Sequence, residues 1–236
     1  MLVDLRQYTL HPGRRDDLID VFDEHFVEGQ EASGMHLVGQ FRDLDDPDRF
    51  VWLRAFESYE ARGLALSDFY GGPIWKAHSR AANETMLDSD NALLLTPLEL
   101  RTGYPVPGSE RPPIGAVDIP STIVAGAVYH RRDLSDGFAD FFNTQIEPVL
   151  AEAGARPIAL FETFPAENNF PALPLRDESV LVWLTTFADF ASYDEHCRWL
   201  ASSAIWRDQI QPEIDRISVA PPQHLRLSPT ARSALR

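Results

Sequence analysis

The sequence predicts an α+β fold made of two ferredoxin-like β-α-β-β-α-β repeats packed sheet to sheet within one chain. Three observations carry that prediction. Val51-Trp52-Leu53 with Phe56 and Ile74-Trp75 returns 131 residues later as Val182-Trp183-Leu184 with Phe187 and Ile205-Trp206, every internal spacing kept. The helical stripe Leu18, Val21, Phe22, Phe26 recurs as Phe138, Phe141, Phe142, Ile146, and Leu95-Thr96-Pro97 recurs as Leu227-Ser228-Pro229. Self-similarity over so long a period marks a duplicated structural unit. Helices cover only one face of such a unit's sheet, so its other face needs a partner, which the second copy supplies.

The elements of the first copy follow in order. Leu2 to Leu10 alternates in the manner of a strand, and Pro12-Gly13 ends it. From Arg14 to Ala32 the apolar residues fall on one helical stripe, with Gly34 as the stop. Leu37 to Arg42 and Phe50 to Phe56 read as strands joined by the turn-rich Asp45-Asp46-Pro47-Asp48. A helix from Glu57 to about Phe69 is broken at Gly71-Gly72-Pro73, a short helical stretch surrounds Trp75, and Leu93 to Leu98 closes the unit. In the second copy Ser135 is a candidate helix cap, Pro148 is expected to kink or shorten its helix, and the hairpin loop holding Pro165, Pro171 and Pro174 is longer. The repeats occupy residues 1–102 and 121–229, joined by a proline-rich linker, 103–120, and followed by a frayed tail, 230–236.

Composition narrows the function classes. A 26.6 kDa chain with 44% hydrophobic and 24% charged residues builds a substantial core, and no stretch has the length of a membrane span. A net charge of −15 and a pI near 4.8 repel nucleic acid and anionic membranes. Cys197 is the single cysteine, and the chain enters its first strand at Leu2, so a cytoplasmic protein without an internal disulfide is expected. The seven histidines show no metal-binding spacing, and no glycine-rich phosphate loop is present, so no metal, nucleotide or other cofactor is expected. His25 interrupts the first helical stripe and should meet an acceptor under the sheet.

Strand alternation suggests where chemistry sits. If Val51, Leu53 and Ala55 face the helices, then Trp52, Arg54 and Phe56 point between the sheets, and the same logic puts Asp4, Arg6 and Tyr8 there. Aligned by position, the second copy replaces Arg6 by Gly126, Tyr8 by Val128 and Arg54 by Thr185, while Trp183 matches Trp52. The candidate catalytic residues are therefore Arg6 and Arg54, to stabilise a phenolate, enolate or carboxylate, and Tyr8 as donor or acid. Trp52 and Phe56 would form stacking walls, with His36, Trp75 and Trp183 completing the ligand site. Against this stands a structural reading in which Arg6 and Arg54 pair with Asp4 or Asp43.

Asp4-Leu5-Arg6-Gln7-Tyr8 followed by Pro12-Gly13 resembles the opening of NIPSNAP domains, and Trp52, Phe56-Glu57-Ser58, Arg62 and Pro73-Ile74-Trp75 resemble their second block. The second half keeps Trp183, Phe187 and Trp206 but lacks the R-x-Y strand and the arginine at the helix start. The resemblance implies a dimeric α+β barrel, here closed within one chain, in a superfamily that includes cofactor-independent monooxygenases of antibiotic biosynthesis and muconolactone-type isomerases. It implies a small hydrophobic or aromatic ligand, bound or converted in the barrel cavity by an oxygenase, isomerase or cyclase type of chemistry. The alternative is a non-catalytic binding or protein-interaction module whose barrel interior is packed. An exposed sheet edge or helix face would let two such pseudo-dimers pair.

Overall fold

The computed structural model describes residues 1–134 and 137–236. The first half runs β1 (Leu2–Leu10), α1 (Arg15–Val21), a π-helical turn (Phe22–Phe26), α2 (Val27–Ala32), β2 (His36–Asp43), β3 (Arg49–Phe56), α3 (Tyr59–Gly71), α4 (Pro73–Asn83), β4 (Met86–Asp88) and β5 (Ala92–Leu100). The second half runs β6 (Ile123–His130), α5 (Phe138–Phe141), a π-helical turn (Phe142–Ile146), α6 (Glu147–Glu152), β7 (Ala159–Thr163) and β8 (Val180–Phe187). It ends with α7 (Phe190–Ser202), a third π-helical turn (Trp206–Ile210), α8 (Gln211–Ile217) and β9 (Gln223–Pro229).

The strands form one closed antiparallel barrel. The first half contributes the order β5-β1-β3-β2 and the second β9-β6-β8-β7; β5 pairs with β7, and β2 with β9. The two sheets thus join at both edges, which leaves no unpaired barrel edge. The short strand β4, not expected from the sequence, adds to the end of β1. Local chemistry repeats as well. The Ser58 hydroxyl accepts from Ala61 N at 3.1 Å to cap α3, and the Asp189 carboxylate accepts from Ser192 N at 2.8 Å to cap α7. Both α1 and α5 run into π-helical turns at equivalent places, and only the second is followed by a proline, so Pro148 is not the cause of that distortion. The suggested cap Ser135 lies outside the described residues.

The barrel interior is filled. Val3, Leu5, Val51, Leu53 and Leu95 of the first half meet Val124, Val182, Leu184 and Leu227 of the second in one apolar cluster. Burial of each such side chain is worth about 1.5–3 kcal/mol. This reverses the expected strand faces. Val51, Leu53 and Ala55 point into the barrel, whereas Tyr8, Trp52 and Phe56 pack under the helices with Leu18, Phe22 and Phe69. The barrel interior takes aliphatic side chains with Phe41, Phe161 and Tyr104, while the tryptophan and the arginines of these strands lie in the layer beneath the helices. The chamber expected between the sheets is absent among the described residues.

The ladders also correct the alignment of the halves. Asp4, Arg6 and Tyr8 stand opposite Arg54, Trp52 and Phe50, just as Ala125, Ala127 and Tyr129 stand opposite Thr185, Trp183 and Leu181. Arg6 therefore corresponds to Ala127, not Gly126, and Tyr8 to Tyr129, not Val128. At Gly126 an added Cβ would run into the Trp183 carbonyl, so that glycine reflects close strand packing and not a lost arginine.

The linker and tail are parts of the body. Tyr104 is buried against Phe161, their ring centroids 5.9 Å apart. The tail is not frayed: Thr230, Arg232, Ser233 and Leu235 are all buried. Leu235 N donates to Val38 O at 2.8 Å and its side chain enters the barrel core. The Ser233 hydroxyl meets Gln40 N at 3.2 Å beside Gly39, where a Cβ would strike the Phe41 ring. Among the described residues no helix is long and apolar enough to cross a membrane.

Candidate functional site

Alternation along β1 and β3 turns Asp4, Arg6, Tyr8, Trp52, Arg54 and Phe56 to the same side, under α1–α4. Asp4 is the centre of the group. Its Oδ2 accepts from Arg54 Nε at 3.1 Å and Nη2 at 3.0 Å, and its Oδ1 accepts from Arg62 Nε at 3.1 Å. Arg54 Nη1 also donates to Gln30 Oε1 at 2.8 Å, and Arg6 donates from Nε to the Tyr8 hydroxyl and from Nη2 to the Ser89 carbonyl, both at 3.0 Å. Each guanidinium lies near a ring: Arg54 is 4.8 Å from Trp52, Arg6 5.5 Å from Tyr8 and Arg62 5.8 Å from Phe56.

Asp4, Arg6, Arg54 and Arg62 are all 0% exposed. Two guanidiniums thus pair with one carboxylate and a third, Arg6, lies in the same buried layer, leaving two positive charges in excess. Arg6 Nη1 and Arg62 Nη2 find no hydrogen-bond acceptor among the described residues. Burial alone would raise the Asp4 pKa, but Arg54, Arg62 and Arg6 outweigh it and hold the carboxyl below its ordinary value. Burial raises the Tyr8 hydroxyl against the pull of Arg6, so it stays protonated, and its oxygen accepts from Arg6 while its proton remains available to a ligand.

The volume beside Trp52 is nearly full. A void of only about 20 Å3 is lined by Tyr8, Phe22, Trp52, Tyr70 and Trp75. Outside it lies a surface cleft of about 520 Å3 with Ser67, Tyr70, Trp75, Phe170 and Leu173 along its walls. Tyr70 and Trp75, whose ring centroids are 4.7 Å apart, border both spaces and separate them. Phe170 and Leu173 come from the long β7–β8 loop of the second half, which also brings Asn169 Oδ1 to 2.6 Å from Arg62 Nη1.

The structure gathers six of the sequence-predicted residues here: Arg6, Tyr8, Trp52, Arg54, Phe56 and Trp75. Two lie elsewhere. His36 Nε2 is 3.3 Å from the Pro105 carbonyl, pinning the linker, and Trp183 belongs to the layer beneath the helices of the second half. Arg62, Gln30 and Tyr70 were not among the expected site residues. The position of Arg62, one turn past the Ser58 cap, was the signal that could have found it. Among the described residues no hydrogen bond of His25 under the sheet is found; its ring stacks on that of His78, the centroids 3.6 Å apart. Among the described residues no group of three or more His, Cys, Asp or Glu is placed to hold a metal ion.

Residues 3–100 match the NIPSNAP family model. No curated protein matches the chain. Among solved structures, a monooxygenase described as putative from Fusobacterium nucleatum subsp. nucleatum ATCC 25586 is similar, at 11% identity and TM-score 0.60 over 97% of this chain and 92% of that one. An anthrone oxidase-like protein aligns over 100% of this chain and 94% of its own length, at 10% identity and TM-score 0.62. A second monooxygenase so described, from Lactobacillus acidophilus NCFM, aligns over 97% and 93% at 12% identity and TM-score 0.53. These likenesses show the fold alone, an α+β barrel.

Proposed function

We propose that this chain binds, and in a cofactor-independent oxygenase, isomerase or cyclase type of reaction converts, a small hydrophobic or aromatic anion in its first half. The place is the layer between β1–β3 and α1–α4, not the barrel interior. The observation that carries the reading is the buried excess of guanidinium charge. An uncompensated buried charge is among the costliest features a fold can hold, and a ligand's phenolate, enolate or carboxylate would offset it. Access leads from the cleft past Tyr70 and Trp75, whose rings would part and then stack on the ligand body. Arg6 and Arg62 each keep an unused N–H for the anion, and Tyr8, kept protonated, would supply a hydrogen bond or a proton. In this reading the two halves are tandem ferredoxin-like repeats in which the first carries the site, and the lone Cys197 suits a cytoplasmic setting.

A second reading, a non-catalytic module with this layer packed for structure, is favoured by the small void beside Trp52 and the pairing of Asp4 with two arginines. Titration with 2-naphthoate separates the two. Under the first reading, Arg6→Met and Tyr8→Phe each weaken 2-naphthoate binding by about tenfold or more with little change in melting temperature. No naphthoate binding by the unaltered chain, together with a lowered melting temperature in both variants, would establish the structural reading instead.

A further inference from the structure

We propose that the second half holds a separate binding site for a neutral aromatic molecule of about two fused rings, between the β6–β8 sheet and α7. A cavity of about 300 Å3 lies there, lined by Tyr129, Trp183, Tyr193, His196, Ala201 and Trp206 among others. It occupies the position that the charged group fills in the first half. The strand ladders align Asp4 with Ala125, Arg6 with Ala127 and Arg54 with Thr185. The two capped helices α3 and α7, each 13 residues long, align Arg62 with Tyr193 and Tyr70 with Ala201. Meanwhile Tyr129, Trp183 and Trp206 keep the rings of Tyr8, Trp52 and Trp75.

The hole therefore has a cause. A carboxylate, three guanidiniums and a phenol ring give way to smaller or neutral side chains, while the two helices start from equivalent side-chain caps and run for the same 13 residues. Thr185 does not fill the gap, because its hydroxyl turns to the Arg156 carbonyl at 2.6 Å. The recess opens to solvent at Ala201, which is exposed, with Tyr193, Cys197 and Trp206 half-buried along its sides and Trp183 and His196 buried at its floor, so a flat ring system has both an entry and apolar walls.

The lining states the ligand's chemistry. Two tryptophans and two tyrosines form walls for a flat ring system, and none of the residues around the cavity is Asp, Glu, Lys or Arg. An apolar cavity of roughly 150 Å3 holds benzene, so this one suits about two rings. His196 is buried and its Nδ1 lies 2.9 Å from the Ala153 carbonyl, to which it donates, leaving Nε2 as an acceptor for a ligand hydroxyl. Burial lowers the His196 pKa and favours this neutral form.

The test uses the full chain, with 2-naphthol as the neutral probe and 2-naphthoate as the anionic one. Cys197 is the only cysteine and lines this cavity, so its alkylation by iodoacetamide reports on the site directly. At ten times its dissociation constant, 2-naphthol should slow that alkylation by roughly tenfold, while 2-naphthoate leaves it unchanged. Ala201→Tyr, which restores the first half's side chain, should abolish 2-naphthol binding without lowering the melting temperature and leave 2-naphthoate binding as it was. Unchanged Cys197 alkylation in millimolar 2-naphthol, equal protection by the anion, or an Ala201→Tyr protein that binds 2-naphthol normally would each overturn the proposal. Loss of naphthoate binding alone would bear only on the first half.

Discussion

The same place in the two halves of the barrel is used in opposite ways. In the first half, between β1–β3 and the helices, Asp4 and three arginines leave about 20 Å3 behind Tyr70 and Trp75, with the surface cleft outside those rings; in the second, where Ala125, Tyr193 and Ala201 stand, a pocket of about 300 Å3 reaches in to Trp183. The barrel interior they share is apolar, mostly aliphatic with Phe41, Tyr104 and Phe161, and hides this difference. A duplicated scaffold can therefore hold its backbone while one copy builds a charged anchor and the other a neutral recess. The helix caps and the strand ladders, which are alike in both halves, fix the shape, and the side chains beneath the helices are free to diverge.

That contrast can be broken by exchanging residues between the halves. The largest effect is expected from Asp4→Asn, which leaves three buried guanidiniums without their carboxylate and should cost about 3–5 kcal/mol in denaturant unfolding. Because the folded Asp4 pKa is lowered, its contribution is full above the unfolded value near 3.8 and is lost as pH falls through the folded one. The stability of the parent chain should thus fall below about pH 4 more steeply than that of Asp4→Asn. Next, Tyr70→Ala should open the first half at a cost of about 2–3 kcal/mol, whereas Ala201→Tyr should stabilise the chain by about 1 kcal/mol, opposite signs from one exchange. Leu235→Ala should cost about 2 kcal/mol if the tail seals the barrel as it is placed.

The smallest effect concerns Asp23, whose counterpart in the second half is Asn143. Burial raises the Asp23 carboxyl to about 6, and its hydrogen bond from Thr230 and the nearby Arg232 only partly oppose that. A carboxyl with a raised folded pKa is unpenalised below the unfolded value and costs stability as pH rises through the interval up to the folded one. Asp23→Asn should therefore be more stable than the parent at pH 8 and no more stable at pH 4, read by thermal unfolding at the two pH values.

Much of the architecture was legible in the chain. The Trp52 and Trp183 blocks and the paired helical stripes gave the α+β class and the places of most strands and helices, because spacing survives whatever the tertiary contacts do. The strand faces were not legible. Both faces of β1 and β3 are buried, so polar and apolar alternation does not say which side is inside, and a cluster of charged residues grouped around one carboxylate can lie beneath helices. The alignment of Arg6 with Gly126 failed for a local reason: one residue fewer separates Tyr129 from Phe142 than Tyr8 from Phe22, and only the ladders reveal it. The tail misled because Thr230 to Leu235 holds few apolar residues, and its order comes from distant backbone partners on β2.

The difference between the halves is tested most directly by crystals pressurised with xenon, which settles in empty apolar cavities. Xenon is expected beside Trp183 and Ala201 and not beside Trp52. Xenon beside Trp52, or at neither position, would contradict the division into a filled half and a hollow one.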